Sequence, residues 1–349
     1  MPGLNSSGRV KYLDVAKGIL IILVVLGHSG LDQDISIARD VFWFHMPAFF
    51  IISGYLFHSY TNNFGKWSLR KTKKFMIPYI AYCLCITVVL NYNHLLEIPK
   101  QLLKLAYSGR AVEWVYWFIP CLLLTELLFG ILITKFKNQS VFVILLFMFI
   151  LAQIESQFYI PFDSNYFDWP IYYKFPWNID VVLISSVYFA LGFYSRNVIN
   201  KIGQKINMLW FIVLSVSCLA LIILNYFNIF NYSLDLKLSH YNHFILDLVI
   251  PYIYTIWILM LSKLLSSLRI FNILAYAGFY SLPIMYLHIP VNVALMSRLE
   301  YGSVVFIIFG TILPLIFAYI CSKSSKLGYF FLGMMPKKLP EQSIEKHLG

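Results

Sequence analysis

Runs of about 20 mostly apolar residues recur along the whole chain, and a run of that length crosses about 30 Å of hydrocarbon as a single helix. No water is available there for the backbone, so each crossing segment must satisfy its own N–H and C=O groups. Ten such runs fall at 12–30, 41–59, 75–92, 114–134, 141–160, 179–195, 208–229, 244–265, 271–293 and 302–322. They predict an all-α, polytopic integral membrane protein with ten transmembrane helices. The 349 residues are 60% hydrophobic and only 12% charged, half the charge of an ordinary soluble domain. That leaves no room for a separate soluble core. A single membrane-embedded domain over 1–349 is expected, ending in a basic tail at 323–349.

The net charge of +11 has a simple origin in such a chain. Lys and Arg concentrate in cytoplasmic loops, so a nucleic-acid partner is not expected. With both termini cytoplasmic, seven of the 27 Lys and Arg residues fall outside: Arg39, Lys100, Lys104, Arg110, Lys174, Lys237 and Arg298. The other twenty fall inside. The first run is not expected to be a cleaved signal peptide, because "LGHSGLDQD" has no small-residue cleavage site. The five cysteines all lie in apolar runs and fit neither a disulfide framework nor a zinc site.

The loops differ in character. "KWSLRKTKKF" places five cations within nine residues on the inner side. "HLLEIPKQLLKLAYSGR" has apolar residues at helical spacing and is expected as an interfacial amphipathic helix. The aromatics of "PFDSNYFDWPIYYKFPW" suit either interfacial anchors or a sugar-stacking platform. Pro78, Pro120 and Pro283 are candidate helix breaks.

Ionisable residues inside membrane helices face a protein interior or a wet cavity. Lys17 and His28 are 11 residues apart, about three turns and about 16 Å along one helix face. Asp14 lies three residues before Lys17, within pairing reach. His45 on the second run and His288 on the ninth reach a depth similar to that of His28, so three imidazoles are expected to approach one another. Zinc is the rival thought, but no carboxylate or Cys sits at matching spacing, and no metal is expected. Glu126, Glu155, Asp180, Asp247 and Ser281 are further polar marks. For Glu126 a structural bond to a neighbouring helix is expected.

The ordered blocks "YLDVAKGILIILVVLGHS", "FHMPAFFIISGYLF", "RKTKKFMIPY", "WFIPCLLLTE" and "SLPIMYLHIP" resemble the signature of the acyltransferase family 3 membrane proteins, most nearly the fucose 4-O-acetylase-like branch. The resemblance covers nearly the whole chain. It implies a membrane enzyme that moves an acyl group, usually acetyl from cytoplasmic acetyl-CoA, to a hydroxyl of an extracytoplasmic glycan. The family pattern of a basic residue, ten residues and a His falls on Lys17 and His28, although many members carry Arg where this chain has Lys. "PWNID" and "YFALGFYSR" extend the resemblance to Asp180 and Gly192.

Together these readings assign His28 as general base, since an imidazole titrates near neutral pH and a sugar hydroxyl needs a base to attack a thioester. His45 or His288 is expected as oxyanion donor or orienting partner, and Asp14 and Lys17 complete the catalytic set. Arg70, Lys71, Lys73 and Lys74, backed by Lys17, are expected to hold the phosphates of CoA. Trp117, Asp180 and Ser281 are assigned to the acceptor. The expected partners are acetyl-CoA, a glycan and the lipid bilayer, in a bacterial plasma membrane, and a homo-oligomer is compatible with the sequence. The alternative is a glycan or lipid-linked sugar transporter with no acyl-transfer activity.

Overall fold

The computed structural model describes residues 10–31, 35–60, 63–107, 115–160, 173–241 and 243–334. Its longer helices are α1 (Lys11–Gly27), α2 (His45–Tyr55), α3 (Phe64–Leu90), α4 (Ile98–Tyr107), α5 (Phe118–Lys135), α6 (Asn138–Phe158), α7 (Val181–Tyr194), α8 (Arg196–Gln204), α9 (Met208–Tyr226), α10 (Leu246–Leu265), α11 (Asn272–Phe279), α12 (Ser281–Met296), α13 (Ser303–Ser322) and α14 (Ser325–Leu332). Between α9 and α10 a short antiparallel hairpin pairs β1 (Leu234–Asp235) with β2 (His240–Tyr241).

The chain is an all-α polytopic membrane protein. Among the described residues, seven helices are long and apolar enough to cross a bilayer: α3, α5, α6, α7 with its preceding 3-10 turn, α9, α10 and α13. Among the described side chains of α9, only Cys218 is buried, as suits a helix whose apolar surface meets lipid. Each of the ten expected runs carries helix, but three depart from a straight crossing. α1 has 17 residues and α2 only 11. α11, with the 3-10 turn before it, and α12 meet at 79° and would count as one broken crossing.

Proline explains two of these departures. In a continuous helix the Pro283 ring would clash with the carbonyl of Phe279, four residues back. The chain breaks at Tyr280 instead, and Pro283 becomes the third residue of α12. There its missing N–H costs nothing, because the first N–H groups of a helix have no partner within it. Pro47 is likewise the third residue of α2, and the preceding stretch Ser36–Trp43 forms a 3-10 helix. Pro120 also stands third in α5 and breaks nothing, while Pro78 lies inside the continuous α3.

Two glycine pairs fix how the helices cross. A Cβ on Gly18 would fall on the Leu274 carbonyl, and one on Gly278 would fall on that of Asp14, so α1 and α11 touch backbone to backbone. Gly54 against Phe189 and Gly192 against Ile51 repeat the arrangement between α2 and α7. Small residues permit such close approach in membranes, where packing rather than water exclusion drives helix association. The segment expected as an amphipathic helix is α4, tied to its neighbours through Tyr79, whose hydroxyl donates to the Leu105 carbonyl at 2.7 Å. Residues 161–172 of the aromatic loop, and the terminal segments 1–9 and 335–349, lie outside the described residues.

Candidate active site

A cavity of about 680 Å³ runs through the helix bundle. Lys17 and His28 both line it, as their shared helix face requires. Lys71, Lys74 and the end of α14 at Leu332–Met334 border it near the Lys17 level. His45, Phe42 and the hairpin residues Asp235–Leu238 border it near the His28 level. The rise of a helix over eleven residues separates the two levels by about 16 Å.

Three helices begin on the cavity. His45 and Met46 open α2, Phe118 and Ile119 open α5, and Ser281, Leu282 and Pro283 open α12; all of these line it. A helix N-terminus carries a partial positive charge from its unpaired N–H groups. The broken ninth run therefore brings a positive helix end into the bundle interior, where a straight helix would place none.

The imidazoles share one local geometry. The Nδ1 atoms of His28, His45 and His288 lie 2.8, 2.6 and 2.9 Å from the carbonyls of Val24, Val41 and Ile284, each four residues back. A neutral ring facing a carbonyl through Nδ1 carries its proton there and its lone pair on Nε2. Each is thus oriented as a base at Nε2; donating from Nε2 to an oxyanion requires the imidazolium. The His28 ring packs edge-on against His288 with centroids 5.2 Å apart. Phe42 separates it from His45, at 6.2 Å from the one and 5.1 Å from the other. His288 itself is fully buried and does not line the cavity.

Lys17 Nζ lies 2.6 Å from Asp14 Oδ1, and the carboxylate is nearly buried. Asp14 does not reach the cavity wall; it holds the cation that does. At the inner level the four expected cations divide. Lys71 and Lys74 line the cavity, while Arg70 and Lys73 are exposed and do not. Lys71 and Lys74 are three apart and share a helix face. Glu126, expected to bond a neighbouring helix, meets Lys71 Nζ at 2.7 Å and lines the cavity beside it.

Trp117 and Ser281 line the cavity as expected, but Asp180 does not. Its buried Oδ2 accepts the Ser239 hydroxyl at 2.8 Å, and Asn178 Nδ2 donates to the Lys237 carbonyl at 2.9 Å. This end of α7 therefore anchors the hairpin, and only the hairpin touches the cavity. Sequence reasoning missed the hairpin; the signal available was the alternation Leu234, Leu236, Leu238 about two charged residues. Among the described residues no group of three or more His, Cys, Asp or Glu side chains is arranged to hold a metal ion.

The chain is a helical membrane protein with an internal cavity lined by lysines and by the imidazoles of His28 and His45. A family model described as an acyltransferase domain (Acyl_transf_3) matches residues 10–323, and the chain belongs to that family. It is similar to the nodulation protein NolL of Mesorhizobium japonicum, 30% identical over 158 residues, 40% of each chain. It is similar also to the nodulation protein NolL of Sinorhizobium fredii, 32% identical over 138 residues, 36% of this chain and 37% of the relative. The chain thus spans about two fifths of the length of the curated relatives it matches. No solved structure matches it.

Proposed function

We propose that the protein is an O-acyltransferase that carries an acetyl group from cytoplasmic acetyl-CoA to a hydroxyl of an extracytoplasmic glycan. The observation that carries this reading is the one cavity shared by Lys17 and His28, in a chain of the acyltransferase family. The chain crosses a bacterial plasma membrane ten times as one domain, with both termini in the cytoplasm. α1 and α2 serve as short crossings and α11–α12 as a broken one. The excess of Lys and Arg in the loops assigned inside supports that orientation.

The CoA phosphates sit at the inner mouth against Lys74, Lys71 and Lys17, and the thin pantetheine arm carries the thioester to the imidazole level. There His28 Nε2 takes the proton of the acceptor hydroxyl as its oxygen attacks the thioester carbonyl. Negative charge collects on the carbonyl oxygen, and the N-terminal ends of α2 and α5 favour it. The tetrahedral intermediate collapses with loss of the C–S bond. The CoA thiolate takes the proton back from His28, leaving the ester and free CoA. The lone pair on Nε2 makes His45 and His288 orienting partners of His28 rather than oxyanion donors.

The test uses membranes containing the full chain, acetyl-CoA labelled in the acetyl group, and glycan acceptors. Label passing to the glycan supports the reading. Movement of a glycan across the membrane without consumption of acetyl-CoA supports the transporter alternative instead.

A further inference from the structure

The 3-10 helix Ser36–Trp43 and the segment Tyr232–Asp235 form a wall with two sides. Phe42 and Asp235 face the main cavity. Arg39, Asp40 and Tyr232 face a second cavity of about 360 Å³, closed by Asn225, Tyr226 and Asn228 at the end of α9. That volume is at the small end of the range of about 300–1,000 Å³ typical of small-molecule sites.

Asn225 builds this second cavity. Its Nδ2 donates to Asp40 Oδ1 at 3.2 Å, and its Oδ1 accepts the Tyr232 N–H at 3.0 Å. One side chain thereby holds the 3-10 helix and the loop after α9 in register. Asn228 turns that loop with a left-handed backbone, φ 55°. The Tyr232 ring meets Trp43 edge-on at 5.1 Å, and Trp43 is two residues from His45. The second cavity therefore lies directly behind the imidazole end of the first.

We propose that the second cavity is a saccharide subsite, holding a sugar unit of the acceptor next to the unit that is acylated; this rests on the acyl-transfer reading above. Its lining suits a polyol. Guanidinium, amide and carboxylate groups offer paired donors and acceptors in a plane, matching adjacent hydroxyls. Tyrosine rings offer an apolar face with a polar tip. One cation beside one anion leaves the site close to neutral, unlike the lysine-lined inner mouth, so a phosphate or a metal ion is a poorer fit. The Tyr232–Trp43 contact, two residues from His45, puts a sugar bound there near the imidazole end of the main cavity.

The experiment compares the parental full-length protein with Arg39→Gln and Asn228→Gly, the latter keeping the left-handed turn. The probes are p-nitrophenyl monosaccharides and trisaccharides, with labelled acetyl-CoA. Each variant is expected to raise KM for a trisaccharide about tenfold, the effect of one lost hydrogen bond to a charged or well-placed group. KM for the monosaccharide and for acetyl-CoA should stay within about twofold, since the interaction removed lies outside the reacting unit. A second readout is deuterium uptake by the peptide 225–233, which trisaccharide should slow in the parental protein and not in the variants. Equal KM effects on both acceptor lengths overturn the subsite. So does a peptide that no trisaccharide protects, or protection that survives both substitutions. Failure to consume acetyl-CoA overturns the acyl-transfer reading alone, because the uptake measurement still reports on the sugar.

Discussion

His28 and His288 meet edge to face with ring centroids 5.2 Å apart, one on the cavity wall and the other wholly buried behind it. Each ring is turned by the same bond from Nδ1 to the carbonyl four residues back. The buried ring therefore sets where the exposed one can point. In the proposed transfer it would act through His28, as a positioning residue.

Replacing His288 with Ala should lower kcat up to about 10²-fold, the effect of misplacing a reacting group by about 1 Å. KM for acetyl-CoA should hardly move. His288→Asn, which keeps a donor near the Ile284 carbonyl, should recover part of the loss. Steady-state kinetics in membranes reads the split. A loss confined to protein yield, with kcat per folded molecule unchanged, would assign His288 to packing alone.

Lys74→Ala should raise KM for acetyl-CoA several-fold, and added salt should weaken the parental enzyme towards the same value, since exposed phosphate contacts are screened. Arg70→Ala and Lys73→Ala, whose side chains do not line the cavity, should leave KM unchanged. Lys71→Met should raise that KM as well and in addition lower thermal stability, because it strands the buried Glu126 carboxylate. Removing one partner of a fully buried pair costs about 3–5 kcal/mol, and Lys71, part exposed, should show less. Thermal unfolding in detergent separates these outcomes.

Gly54→Ala and Gly192→Ala each drive a methyl group into the backbone of the opposing helix. Overpacking of this kind costs about 1–3 kcal/mol, and the unfolding temperature should fall. Gly65→Ala is the control: its Cβ would meet only Asn63 Oδ1, at 3.4 Å, and it should be neutral or mildly stabilising. Equal behaviour of all three would contradict the backbone contact.

Much of this was legible from local periodicity. The expected runs follow from apolar length, and the Asp14–Lys17 pair and the common face of Lys17 and His28 follow from 3.6 residues per turn. The hairpin left only a faint signal, the alternation Leu234, Leu236, Leu238, because its strands are two residues long and are held by distant partners such as Asn178, Asp180 and Ser156. The same limit hid the role of Asp180, whose partner Ser239 lies 59 residues away. That Lys71 and Lys74 line the cavity while Arg70 and Lys73 do not could not be read from spacing, because Arg70 and Lys74 are also neighbours on one helix face and the outcome depends on what packs against α3. Pro283 marked a break; that the break would bring a helix N-terminus to the cavity required the tertiary arrangement.

Burial raises the Asp40 carboxyl from 3.8 to about 6, against the opposing pull of Arg39 and the Asn225 amide. The folded protein therefore holds a proton there that the unfolded chain releases near pH 4. Stability should fall as pH rises from about 4 through about 6 and level off above, because the folded state binds more protons in that window. Asp40→Asn should flatten the slope there. Unfolding midpoints at pH 4.5 and 7 for the two proteins test the sign; an identical slope in both would contradict it.

In the proposed acyl transfer, His28 is the base in the cavity it shares with Lys17. The most direct measurement is the initial rate of labelled acetyl transfer to glycan by His28→Ala, in membranes containing equal amounts of folded protein. Loss of a general base predicts a rate about 10²–10⁴-fold below the parental enzyme, with acetyl-CoA still bound. Transfer at the parental rate would contradict the account.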